Sequence, residues 1–245
     1  MENVSGKIVA ITGASSGIGR ATALELARHG ARLVLGARRI DQLEVVAEEI
    51  VASGGSAVCR QTDVRDRASM QALVDHACAS FGRLDVLVAN AGVGPISPLD
   101  ELREADWNEM IEVNLKGVLH GIGAALPVFR RQNTGHFVTV VSTAGLRVVP
   151  GMAVYAATKN AVRTLLEGLR QEAGPHLRVT GVSPGYVRTS FGHAVPPGPL
   201  RDAGLQTMEA IAIAPESIAR AISFAISQPA DVDIGDIVIR PTAQG

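Results

Sequence analysis

Aromatic side chains are scarce in this chain of 245 residues, at 3% of the total, and only two cysteines occur, Cys59 and Cys78. So few rings speak against a surface that stacks nucleic-acid bases. The cysteines make no disulfide framework, and neither they nor the six histidines show metal-ligand spacing. No metal is expected, and the setting expected is intracellular, in the cytoplasm. Charge of one sign is also missing. Twenty-three basic residues against 24 acidic ones leave a formal net charge of −1, which gives no electrostatic footprint for nucleic acid or an anionic membrane. No uninterrupted apolar run approaches the ~18 residues that span a bilayer. Met1 to Gly6 lacks the basic and apolar regions of an export signal, so the sequon Asn3-Val4-Ser5 carries no meaning.

What is present is apolar mass: 47% hydrophobic and 19% charged residues, enough for a buried sheet covered on both faces. Residues 1–245 are expected to form one domain. Short apolar runs at 8–11, 32–35, 57–60, 84–89, 137–141 and 179–182 read as buried strands. Helix-period segments alternate with them at 17–29, 41–52, 67–80, 104–131, 152–173 and 215–227. Strands rich in Val, Ile and Leu imply burial on both faces, hence a parallel sheet with right-handed crossovers: a single-domain, doubly wound, Rossmann-type α/β fold. Asp41 with Glu44 suits a capping box, and Gly30, Gly54 and Gly174-Pro175 suit helix ends. In 190–204, Pro196-Pro197-Gly198-Pro199 interrupts regular structure. That segment is either a mobile loop over a site or a plain surface connection.

After the first strand, Thr12-Gly13-Ala14-Ser15-Ser16-Gly17-Ile18-Gly19 runs straight into a helix. Glycines here let the backbone turn tightly and approach a pyrophosphate, whose charge meets free N–H groups and the positive end of the helix dipole. About twenty residues on, where a carboxylate would bind the ribose hydroxyls of NAD, stands Gly36-Ala37-Arg38-Arg39. Two guanidinium groups in place of a carboxylate favour the 2′-phosphate of NADP(H); solvated arginines at a strand end are the bland alternative.

Tyr155 and Lys159 lie four residues apart, on one face of a helix. A free phenol titrates near ~10, so acting near neutrality needs roughly three pH units of help, or ~4 kcal/mol. A nearby ammonium and an oxidised nicotinamide both push that way. Tyr155 then exchanges a proton with the substrate oxygen, and Ser142, at the end of the strand 137–141, donates a hydrogen bond to that oxygen.

Together these segments resemble the short-chain dehydrogenase/reductase family, in its single-domain group of about 250 residues. The likeness covers nearly the whole chain: Thr12 to Gly19, Asp63-Val64, Asn90-Ala91-Gly92, the set Asn114, Ser142, Tyr155 and Lys159, and Pro184-Gly185-Tyr186-Val187-Arg188-Thr189. The resemblance implies an NADP-dependent oxidoreductase acting on CH–OH or C=O groups of a small molecule, working as a homo-oligomer, dimer or tetramer, through the helices near 104–131 and 152–173. It implies that Asp63 and Val64 contact adenine and that Asn90, Ala91 and Gly92 line the cofactor. Lys159 would bind the nicotinamide ribose, with Asn114 behind a water-linked relay, while Val187 and Thr189 hold the carboxamide after the Pro184-Gly185 turn. Two departures stand out. Ala89 replaces a second asparagine, and the ending Ile239-Arg240-Pro241-Thr242 is that of NADP-dependent members similar to clavulanate-pathway and serine dehydrogenases.

His193, Arg147 and Met152 are candidates for the substrate wall or for bland surface, and Trp107 is expected in the core or an interface. A dinucleotide-sensing scaffold without turnover is the non-enzymatic alternative. A sugar-nucleotide epimerase or dehydratase shares the Tyr/Lys pair but needs a further substrate domain.

Overall fold

The structure, a computed structural model, describes residues 2–244, the side chains of Glu2 and His193 excepted. Seven strands form one sheet: β1 (Ile8–Thr12), β2 (Arg32–Ala37), β3 (Ser56–Gln61), β4 (Val86–Ala89), β5 (Gly135–Val140), β6 (Leu177–Pro184) and β7 (Asp236–Ile239). Their spatial order is β3-β2-β1-β4-β5-β6-β7, and every pairing is parallel. The helices are α1 (Gly17–Arg28), α2 (Ile40–Ala52), α3 (Arg67–Phe81), α4 (Glu104–Met110), α5 (Gly117–Gln132), α6 (Ala153–Ala173), α7 (Pro199–Ile211) and α8 (Pro215–Ser227). This is the doubly wound Rossmann-type architecture that the alternation predicts.

Two apolar layers hold it together. On one face Leu26 of α1, Val46 and Ile50 of α2, and Ile218, Ile222 and Ile226 of α8 cover Val9, Ile11, Leu33 and Val138. On the other, Leu73 and Val74 of α3, Val128 and Phe129 of α5, and Val162 and Leu166 of α6 cover Ala10, Val34, Leu87 and Val179. Alternate residues of one strand thus reach opposite layers, as a pleated strand buried on both sides demands.

Four features depart from the sequence-based expectation. The predicted continuous helix 104–131 is α4 and α5 joined by a π-helical turn, Ile111–Lys116, which contains Asn114. The capping box of Asp41 and Glu44 is absent: α2 starts one residue earlier, with Arg39 at its N-cap and no side-chain cap. The segment 190–204 is no simple loop. A 3-10 turn, Ser190–Ala194, precedes α7, whose first residue is Pro199 after Gly198 at φ 150°. Proline at a first helical position loses no hydrogen bond, so the residue that reads as a breaker is a starter. Finally β7 extends the edge beyond the six predicted strands, pairing Asp236–Ile239 with Gly181–Pro184.

Candidate active site

Because β1 and β4 are neighbours and the chain leaves them in opposite directions, a crevice opens at the carboxyl ends of these strands. A cavity of ≈ 1020 Å³ lies there. It brings together the glycine turn, the residues after β2 and β3, the ends of β4 to β6 and α7 along its length.

At its base the turn after β1 is built as a cradle. Gly13 and Gly17 have φ of 66° and 53°, left-handed backbone that glycine adopts without strain. At Gly19 a Cβ would overlap the Gly13 carbonyl oxygen and the Asn90 amide. Asn90 locks this turn to the end of β4: its Nδ2 donates to Thr12 O at 2.9 Å and Gly13 O at 3.2 Å. Thr12 Oγ1 accepts from the N–H of Asn90 and of Ala91, each at 3.1 Å. Ser16, at the N-cap of α1, makes no side-chain capping bond, and the first turn holds no acidic residue. The positive end of this helix therefore meets no carboxylate of its own, and Ser15, Ser16, Gly17 and Ile18 line the cavity beside it.

Arg38 and Arg39 follow β2 on the cavity rim, both exposed. Neither guanidinium has a salt-bridge partner among the described residues. Asp63 faces them from the end of β3, and the Arg65 guanidinium holds its carboxyl below the usual range, with Arg65 Nη2 at 2.6 Å. Val64 lies beside it, packed over Gly117.

The reacting groups converge further along. Ser142 caps a 3-10 turn just past β5, its Oγ accepting from the Ala144 N–H at 3.1 Å. Tyr155 and Lys159, on the first turns of α6, are both buried. Lys159 Nζ donates to the Val140 carbonyl at 3.0 Å and lies 5.9 Å from the Tyr155 ring centre. Asn114 acts as a clamp: its Nδ2 donates to Val93 O at 2.9 Å and Thr158 Oγ1 at 3.3 Å, and its Oδ1 accepts from the Val93 N–H at 2.8 Å. Gly92, between them, leaves room for Asn114 and Lys159 to approach one spot.

Electrostatics here run against the expected activation of the phenol. Burial pushes Tyr155 up to about 12, with only the hydrogen bond to Ser142 pulling it down. Burial likewise lowers Lys159 to about 8. The ammonium that was expected to ionise the tyrosine is itself destabilised, so the chain alone holds Tyr155 as a proton donor.

Above these groups, Phe191 packs its ring against Tyr155, centroids 5.4 Å apart, in a notch over Gly94 that a Cβ would fill. Thr189 caps its turn, accepting from the Phe191 N–H at 3.3 Å. Val187 bridges to Ile213, and the Pro184-Gly185 turn is closed by the C-terminal segment: Gly185 N–H donates to Ile239 O at 2.7 Å and Tyr186 N–H to Gln244 Oε1 at 3.0 Å. Arg147 and Met152 line the cavity. Trp107 packs instead with Met110 and Ile96, and the side chain of His193 lies outside the described residues. Phe191 and Gln244 carry no sequence signal, since each acts through a contact distant along the chain. Among the described residues no three His, Cys, Asp or Glu side chains gather as metal ligands, and no helix is long and apolar enough to cross a membrane.

Residues 7–199 match the family model described as short chain dehydrogenase. An oxidoreductase of Staphylococcus saprophyticus is 44% identical over 247 residues, covering 100% of this chain and 99% of that protein. The alcohol dehydrogenase of the archaeon Thermococcus sibiricus, solved with 5-hydroxy-NADP, superposes with a TM-score of 0.88 at 36% identity, covering 98% of each chain. A short-chain dehydrogenase/reductase of Burkholderia phymatum, solved with NAD, gives 0.89 at 30% identity over 97% of this chain and 90% of that one. With the glycine cradle at the switch point and the Ser142, Tyr155 and Lys159 side chains on one cavity, these matches place the chain in the short-chain dehydrogenase family of oxidoreductases.

Proposed function

We propose that the chain is an NADP(H)-dependent reductase of ketones or aldehydes, also able to oxidise the corresponding alcohols. The observation that carries this reading is one cavity with Ser142, Tyr155 and Lys159 at one end and two unpaired guanidinium groups, Arg38 and Arg39, at the other. The cradle fits a dinucleotide: Gly13 to Gly19 leave space for a pyrophosphate, and the α1 N-terminus supplies the positive field. When bound, the cofactor supplies or accepts the hydride.

The protein's own groups do the rest. Tyr155, protonated at neutral pH, donates to the substrate oxygen as it gains charge, and Ser142 orients that oxygen and the phenol. Lys159, anchored on Val140 O, binds the nicotinamide ribose, and the Asn114 clamp fixes the Val93 segment against α6. Val187 and Thr189, past Pro184 and Gly185, hold the carboxamide; Asn90, Ala91 and Gly92 flank the ribose; Asp63 and Val64 flank adenine. Arg38 and Arg39 take the 2′-phosphate. The same reading has residues 1–245 act as one domain in the cytoplasm, as a homo-oligomer, with 190–204 closing over substrate.

The test is NADPH oxidation by the pure protein, followed by absorbance, against ketones, aldehydes, diketones and oxo acids. Turnover of at least one carbonyl is expected. Tight NADPH binding with no turnover would return the chain to the sensing-scaffold reading, and no dinucleotide binding at all would end both.

A further inference from the structure

The charge lining the cavity is lopsided. Its acidic lining is Asp63, already bound to Arg65, whereas Arg38, Arg39, Arg147, Arg201, Arg240 and Lys159 all face it. Two of these cations stand at the substrate end. Arg147 follows Ser142, its N–H donating to Thr143 O at 3.0 Å. Arg201 is half-buried in the first turn of α7.

The helix that carries Arg201 also presents apolar side chains to the cavity. Leu200, next to Arg201, packs over Gly151 and belongs with Met152 and Phe191 to the cluster around Tyr155. Leu205 and Met208 of the same helix also face the cavity. Among the described residues, neither Arg147 nor Arg201 has a salt-bridge partner. Asp202 is the nearest acid in sequence, yet it is exposed and does not line the cavity. A guanidinium half-withdrawn from water beside apolar walls is stabilised by a planar anion that accepts two of its N–H groups.

From this arrangement we infer that the substrate is an oxo-carboxylate: a carbonyl compound with an aliphatic body whose carboxylate is held by Arg201, assisted by Arg147. The inference rests on the reductase reading for the carbonyl and on the cavity lining for the carboxylate. A phosphate of the dinucleotide is the competing anion. Arg201 lines the cavity from the first turn of α7, next to Leu200 of the cluster around Tyr155, and not from the glycine cradle, which assigns it to the substrate.

Binding tests this without turnover. Calorimetry of hexanoate against hexanamide, with and without NADP+, is expected to show the acid at least about tenfold tighter. Arg201→Met should abolish that preference, Arg147→Met should reduce it, and Arg201→Lys should retain part of it. Equal binding of acid and amide overturns the proposal. So does an Arg201→Met protein, folded by circular dichroism, that loses NADPH affinity as strongly as hexanoate affinity, since Arg201 would then serve the cofactor. In the turnover arm, 6-oxoheptanoate should exceed its methyl ester at least about tenfold in kcat/KM. If no carbonyl is turned over while the acid still binds selectively, the reductase reading fails and the carboxylate site stands.

Discussion

Lys159 is costly to bury because it meets no opposite charge within the chain, whereas Tyr155 beside it is buried as a neutral phenol. Lys159 falls from 10.5 to about 8 on folding. Below that pH the lysine is charged in both states and the folded chain bears the full desolvation cost, on the order of 3 kcal/mol. Between about 8 and 10.5 the folded state releases the proton first, so this group makes stability rise with pH across that window. Lys159→Met should therefore melt higher than wild type at pH 7, by an equivalent of roughly 1–3 kcal/mol, with the gain gone near pH 10.5 and turnover lost. Melting curves at both pH values check this, and a lower melting point at pH 7 would contradict it. Tyr155→Phe should cut NADPH-dependent turnover at least about a hundredfold and leave NADPH titration nearly unchanged; near-normal turnover would remove Tyr155 as proton donor. At the other end of the cavity, wild type should bind NADPH at least about tenfold more tightly than NADH. Arg38→Asp should move that ratio toward NADH, incompletely where Arg39 still touches the phosphate, and fluorescence titration of both cofactors reads it. At this scale the cradle, the two arginines and the Tyr/Lys pair were legible because each is a local pattern. The Asn114 clamp on Val93 and the upward shift of Tyr155 were not, since both depend on what packs around the residue.

Among the elements, the turn carrying Phe191 packs against Tyr155, and the helix that follows it lines the same cavity. Gly94 is the seat for the Phe191 ring, so Gly94→Ala should dislodge the turn. Its expected signature is faster proteolysis between Val195 and Gly198, the part lacking helix, together with a several-fold rise in KM. In wild type the same bond should be protected by cofactor plus substrate. Equal cutting in both states would reject a closing segment. The sequence misleads here for a physical reason. Pro196, Pro197 and Pro199 read as breakers, but proline disrupts only a helix interior, and Pro199 occupies the first turn. The edge strand β7 escaped because it has one neighbour and a half-exposed pattern, and its apolar run, Ile237-Val238-Ile239, is only three residues long. The π-helical turn at Asn114 keeps a helical period, so nothing in the residue order separates it from α4 and α5.

For the whole molecule, exposed Ile111 and Leu119 on the helical stretch from α4 to α5 accord with association through that surface, and light scattering is expected to give two or four copies per particle. A single copy at micromolar concentration would refute this. The pairing of α1 with α8 has a different kind of consequence. Leu26 is covered by Ile218, Ile222 and Ile226, side chains nearly the whole chain length away. During synthesis on the ribosome, α1 emerges among the first elements, yet its cover is made almost last. In the interval the nascent sheet carries a bare apolar face, a binding site for holding chaperones and a nucleus for aggregation. Ile222→Ala, which opens a cavity under α1, should cost about 2–5 kcal/mol. Denaturant unfolding of wild type and variant reads that cost. The protein's hazard is thus concentrated in time, in the roughly 10–40 s that synthesis at ~5–20 residues per second takes to reach its last helix.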